Sequence, residues 1–511
     1  MEQNFANGTV LSNEIVLAHK EELPVEMDFV LPDSCPDMVK ILKCRLEACV
    51  LSTEPSSEGV TLEGNVTARV FYIGDDGGLH TAENRSGFTK NCRYDQVPTD
   101  SSTVTVIAPG CAEYVNVRAV NQRRVEIKGA MSLSVQATAD QRSTFLSDCG
   151  GQLECREEEK TVTCPVISQR RTFLLEEEIP IGEANPAVSA LLQVQGTAVL
   201  TDQKILEGKA ATKGELHLRC VYLPESGEEP LVITEPVLPL SFLSDFGDLT
   251  EDCICDMEYE LVRLSAEVKP DGEGLLRILA CRAEIALTLT ANREQSFHYF
   301  SDAYSVRHPV QCQWQQFQLS SLLRCVDDIA SVEKAYEAPM GGVTRILDPF
   351  ASAFVRQCRQ EEDALIIVVR LELGAFLLDA NGRPALFERV EEYAHTVGLE
   401  TGGEKSARGF RARAESLRCQ VEGDRIEFSL ELSVKGCCYA ALPVSAIVEA
   451  QVDETTEKTK AGAPLTLYFA REGENVWDIA KRYNAPLLSF MEENDLAEQI
   501  LPQRTLLLIP R

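Results

Sequence analysis

From Arg425 to Leu432 the chain reads RIEFSLEL, alternating polar and apolar residues without a miss. That period of two is the signature of a strand with one face in a core and the other in water. Similar segments, separated by turn residues (Asp, Asn, Gly, Ser, Pro), recur through the first 460 residues. Self-comparison sorts them into three copies. One strand-and-turn unit appears as VTLEGNVTARVFYIGDDG (Val60 to Gly77), again as EGKAATKGELHLRCVYLPESGEEP (Glu207 to Pro230), and again as ALIIVVRLELGAFLLDANGRP (Ala364 to Pro384). A second strand pair follows each time, over Tyr114 to Ala137, Tyr259 to Ala291 and Arg413 to Tyr439. Phe145-Leu-Ser-Asp148 returns as Tyr299-Phe-Ser-Asp302.

The repeats are domain-sized, which describes a tandem array and not a short-period solenoid. The expected fold class is mainly β: tandem antiparallel β-sandwich or open-barrel-like repeats with short linking helices, plus a small C-terminal βααβ domain. Boundaries are placed at 1–165, 166–320 and 321–452 for the repeats. A polar linker follows at 453–464 (DETTEKTKAGAP), then the terminal domain at 465–511. The linker lacks a large apolar anchor, so the terminal domain is expected to move semi-independently. A linking helix is expected where Leu31 to Leu42 opens the first copy, with Asp37 near its start and Met38, Ile41 and Leu42 on one face. The sequence leaves open whether the repeats pack together or string out.

The C-terminal segment changes period. A short apolar strand (Leu465, Leu467, Phe469) leads through a turn at Arg471 to Asn475 into a helix with Val476, Ile479, Ala480 and Tyr483 on its buried stripe. A second helix over roughly Pro486 to Glu493 and a strand over Thr505 to Ile509 complete it. Trp477 falls one position off the stripe, placing a large aromatic at the edge of the core, where an interface anchor would sit.

Composition narrows the function classes. The net charge is −31, and residues 465–511 carry five Lys/Arg against seven Asp/Glu, so nearly all the acidity lies in the repeats. A polyanion such as nucleic acid would be repelled. No uninterrupted apolar stretch approaches the ~18–20 residues of a membrane span. The N-terminal residues show no basic region followed by an apolar run, which favours a cytosolic location. Eighteen cysteines are scattered without a CxxC pair or a zinc spacing, and are read as reduced thiols serving as small hydrophobes. Oxidative cross-linking in an assembled structure is the alternative. There is no HExxH, GxGxxG, Walker A loop or GxSxG elbow, so no catalytic residue, metal ligand or cofactor is assigned. His217 is read as lying on a solvated strand face.

The order β-α-α-β, the YxxxxGxxxWDIAxRY core from Tyr468 to Tyr483 and the terminal LLLIP resemble a LysM domain. By that resemblance a ligand groove lies between Gly473, Glu474, Asn475 and Val476 on one side and Asn494, Asp495 and Leu496 on the other. The usual Pro-Gly-Gln turn before the last strand is Pro502-Gln503-Arg504 here. Upstream, the LPDSCPDMVKIL opening at Leu31 and the SDAYSVRHPVQCQWQQF stretch from Ser301 to Phe317 resemble segments flanking SPOCS repeats. The second copy keeps only the outline of that opening, Ile179 to Val188, and the third lacks it. Tandem SPOCS repeats with a terminal LysM domain resemble the SipL-type spore-morphogenesis proteins. The resemblance implies a non-enzymatic scaffold in the mother-cell cytosol, at the forespore surface, gripping the SpoIVA-type coat-basement ATPase through the LysM domain. The alternative is a peptidoglycan-binding module that tethers an acidic β array to the cortex or wall.

Overall fold

The alternating segments form strands, and the three copies share one strand plan. The computed structural model describes residues 5–33, 35–98, 103–151, 153–182, 185–225, 231–339, 342–399, 403–458 and 466–510. The expected turn at 226–230, Leu465 and the linker residues 459–464 lie outside them.

Repeat one runs β1 (Ala6–Val30), β2 (Met38–Pro55), β3 (Gly59–Gly74), β4 (Leu79–Arg93), β5 (Val104–Ile107), β6 (Gly110–Ala119) and β7 (Arg124–Asp148). Its first and last strands pair antiparallel, with β5 and β6 also on β7, while β2-β3-β4 make a second sheet. Repeat two runs β8 (Glu154–Pro180), β9 (Val188–Leu206), β10 (Lys209–Pro224), β11 (Val232–Thr234), β12 (Val237–Asp245), β13 (Ile254–Pro270) and β14 (Leu276–Tyr304). Its sheets are β13-β14-β8 and one in which β10 pairs with β9, β11 and β12. Repeat three runs β15 (Val310–Glu337), β16 (Val343–Glu361), β17 (Ala364–Asp379), β18 (Pro384–Gly398), β19 (Lys405–Glu422) and β20 (Arg425–Val452), in sheets β15-β20-β19 and β16-β17-β18. The fold is mainly β and antiparallel, as its alternation requires.

The three strand-and-turn units of the sequence are the central strands β3, β10 and β17. The perfect alternation of Arg425–Leu432 turns Ile426, Phe428, Leu430 and Leu432 inward. Within each repeat the two sheets enclose their own core, built around residues such as Tyr72 and Ile127, Tyr259 and Ile285, and Leu371 and Phe428. Gly64 and Gly214 occupy the same place in β3 and β10. A Cβ on either would meet a ring, Phe88 at 2.7 Å or Tyr259 at 2.6 Å, so the backbone must stay bare there.

The expected helix at Leu31–Leu42 is a loop entering β2. Asp37 does not cap a helix; its carboxylate accepts from Arg123 Nη1 at 2.8 Å, and the same guanidinium donates to the carbonyls of Leu31, Pro32 and Cys35. With that loop held open, Met38 and Leu46 point inward at strand spacing. The tie recurs across copies: the Tyr72 hydroxyl donates to the Pro36 carbonyl at 3.3 Å and the Tyr222 hydroxyl to the Pro186 carbonyl at 3.1 Å. Among the described residues both α-helices lie in the C-terminal module.

The repeats pack together. The long strands that open and close each repeat run past their own sandwich into a shared centre, where Val10 and Phe145, Cys164 and Tyr299, and Leu319 and Val444 meet. A register shift marks each departure, at Ile15/Leu17, at Ala291/Asn292 and at Leu322/Arg324. One extra residue bends and twists a strand, which redirects its end toward the centre. The boundaries expected at 165/166 and 320/321 therefore fall inside β8 and β15, because one strand serves both sandwich and centre. Between sandwiches, Arg411 forks onto Asp256 (3.0 and 3.1 Å), Phe71 packs on Phe376 at 4.6 Å, and the Arg45 guanidinium lies 3.7 Å from the centroid of the Phe350 ring. All eighteen cysteines are free thiols.

Candidate functional site

The C-terminal module is β21 (Thr466–Ala470), α1 (Val476–Tyr483), α2 (Leu487–Glu493) and β22 (Thr505–Ile509), with β21 and β22 paired antiparallel. Gly473, at φ 82°, makes the turn out of β21, a conformation that favours glycine. The Asn475 side chain caps α1 by accepting from the Trp477 amide at 2.9 Å, and Asn484 closes the helix in the left-handed region. The Glu474 carboxylate accepts from the Arg471 amide and the Tyr468 hydroxyl. Asn494 ties α2 to β22: its Nδ2 donates to the carbonyls of Phe490 and Leu508, and its Oδ1 accepts from the Leu508 amide. Asp495 turns the chain at φ 52°, and the Leu496 amide donates to the Met491 carbonyl.

These contacts engage much of the expected groove inside the module. Val476 is fully buried and its amide donates to the Gln499 carbonyl, while Gly473 and Glu474 exchange backbone hydrogen bonds with Leu501. The loop before α1 thus pairs with residues 499–501, and not with Asn494, Asp495 or Leu496.

Trp477 departs furthest from expectation: it is 1% exposed. Its indole Nε1 donates to Asp302 Oδ2 at 2.8 Å, and its ring meets Tyr304 edge-on at 5.1 Å. Lys481, one turn further along α1, places Nζ 2.6 and 2.7 Å from the two Asp302 oxygens. The Tyr304 hydroxyl donates to the Ala485 carbonyl at 2.7 Å. Lys458 Nζ bridges the Ser305 carbonyl and Asn484 Oδ1, and burial pulls that ammonium's pKa below its ordinary value. The stretch Asp302-Ala-Tyr-Ser305 is therefore a seat for the module, and the semi-independent motion expected of it is replaced by a docked arrangement. A single helical stripe could not reveal this, because α1 buries two faces: Val476, Ile479 and Ala480 in the module's own core, and Trp477 against Asp302 and Tyr304 of repeat two. Tyr483, expected on the stripe, is exposed and packs beside Tyr468. The missed residues are Asp302, Tyr304, Lys458 and Lys481; the Trp477/Lys481 spacing was the available signal.

Docking by the helix leaves the other side of the sheet open. Leu467, Phe469 and Leu506 are 55%, 65% and 58% exposed, and Phe469 and Leu506 face each other in register. Leu467 and Phe469, read as part of a short apolar strand, lie on its outer face, because Tyr468 and Ala470 take the inward positions of β21. A second concavity, about 1090 Å³, lies where the three sandwiches face one another. Three of its charged lining residues are held in ion pairs: Lys43 with Glu388, Arg219 with the neighbouring Asp348, and Arg370 with Glu372. His217, read as solvated, is exposed on its rim.

The family described as SipL, SPOCS domain matches residues 37–120 and 187–269. Those stretches run from the Asp37 loop through β6 in repeat one and from β9 into β13 in repeat two. The chain carries tandem SipL-type SPOCS domains. The matching ties Tyr72–Pro36 and Tyr222–Pro186 fasten the chain just ahead of each matched stretch to that stretch's central strand, β3 or β10. Repeat three has the same strand plan outside the matched residues. Comparisons with curated proteins and with solved structures give no match.

Proposed function

We propose that this protein is a non-enzymatic scaffold of spore-coat morphogenesis. In this reading it works in the mother-cell cytosol at the forespore surface and holds a SpoIVA-type coat-basement ATPase through its LysM-like module. The tandem SPOCS domains support the sporulation role. The observation that carries the partner reading is the uncovered apolar set on the sheet side, Leu467, Phe469 and Leu506, away from α1, whose Trp477 and Lys481 are committed to Asp302. An apolar strand face suits a protein surface better than a polar glycan. Pull-down of the SpoIVA-type ATPase by the full chain, alongside sedimentation with insoluble peptidoglycan, tests it. Wild type should capture the ATPase, and the double variant Phe469→Glu/Leu506→Glu should lose at least tenfold in affinity while its tryptophan emission stays unchanged. Sedimentation with peptidoglycan and no ATPase capture would overturn it.

A further inference from the structure

Repeat one crosses to repeat two through a short loop, Cys149 to Cys155. Two glycines with positive φ, Gly150 and Gly151, reverse the chain there, and Asp148 Oδ1 accepts from the Gly150 amide. The reversal brings Cys149 Sγ and Cys155 Sγ to 2.7 Å. Two sulfurs at that separation lie within about 0.7 Å of the bond length of a disulfide. The two thiols are set among Leu146, Leu153, Phe300, Ala303, Ile447 and Ala450, so the pair sits where all three repeats converge. Cys155 lies opposite Ala303 in the β8–β14 register, a residue within the seat of the C-terminal module.

We propose that Cys149 and Cys155 are a two-electron oxidation site that closes to a disulfide when the protein meets a peroxide. Among the described residues no group of three His, Cys, Asp or Glu side chains converges as metal ligands, so the pair stands as a dithiol. The close contact with Cys155 holds the Cys149 thiol below its ordinary pKa, and the same contact with burial lifts Cys155. Cys149 is accordingly the attacking thiolate. It displaces hydroxide from the peroxide O–O bond and becomes a sulfenic acid, and that hydroxide takes the proton given up by the Cys149 thiol and leaves as water. Cys155 sulfur then attacks the Cys149 sulfur, the S–O bond breaks, and the released hydroxide takes the Cys155 proton as water. Both thiols are oxidised by one electron each and the peroxide is reduced to two waters. Cys312, half-buried nearby, has its thiol pushed up by burial and makes a poor competitor.

The test treats the full-length protein with hydrogen peroxide, alkylates it under denaturing, non-reducing conditions and maps the peptides. The expected product is a 149–155 cross-link lacking two hydrogens, reversed by reductant, with neither cysteine alkylated. Cys312→Ser should form it at the wild-type rate and Cys149→Ser should not form it. Full alkylation of both cysteines in oxidised wild-type protein, or a cross-link from either to Cys312, overturns the proposal. The wild-type measurement decides the matter even where a variant misfolds.

Discussion

Asp302 holds the C-terminal module through one carboxylate, so Asp302→Ala should release it. The carboxylate accepts from the buried Trp477 indole and from Lys481, and the substitution leaves the indole N–H without an acceptor. An unsatisfied buried donor costs about 1–3 kcal/mol. The Lys481 pair is partly exposed on its lysine side, so solvent screening limits it to under about 1 kcal/mol. Together about 1–4 kcal/mol moves the docked–undocked equilibrium by roughly 5- to 700-fold. The chain has two tryptophans, and Trp314 is half-exposed, so Trp314→Phe isolates the Trp477 signal. In that background Asp302→Ala should red-shift the emission and raise its quenching by acrylamide. Asp302→Asn, which keeps an acceptor and loses the charge, should fall between. Emission and quenching unchanged in Asp302→Ala would refute the assignment of Asp302 as the main tether.

Tyr304→Phe should loosen the same seat by about 1 kcal/mol, the hydrogen bond to the Ala485 carbonyl, read as faster amide exchange in α1 and α2 with β21–β22 unchanged. Burial raises the Asp140 carboxyl to about 6 from 3.8, so the folded chain holds that proton more tightly and stability falls as pH rises from about 4 to 6. Asp140→Asn should flatten that slope and add about 1–2 kcal/mol at pH 7 in denaturant titrations, after allowance for its partial exposure. Closing the Cys149–Cys155 loop should raise stability by about 2 kcal/mol on the chain-entropy account of a seven-residue loop, seen as a reductant-sensitive rise in Tm. Phe428→Ala, in the core of repeat three, should cost about 3–5 kcal/mol in the same denaturant assay.

The strands were largely legible, because alternation such as Arg425–Leu432 admits one face to a core and nothing else. The helix α1 was legible for the same reason at a different period. Residues with two plausible periods were not: Met38, Ile41 and Leu42 fit a helix stripe as well as an irregular strand, and only the distant Arg123 decides between them. The docked face of Trp477 was illegible because its partner lies in another repeat, and periodicity carries no information about partners. The shared centre was hidden likewise, since Val10 and Phe145 alternate just as sandwich residues do.

The meeting of all three repeats at one centre sets the order in which the chain can finish folding. Val10, near the start, has no complete surroundings until Val444, near the end of the array, has left the ribosome. Until then each partly built sandwich presents bare apolar strand ends, and contacts so distant in sequence form slowly. Truncation after the first or second repeat should therefore give an aggregating product and not a smaller soluble one, and the array should melt as a unit instead of repeat by repeat.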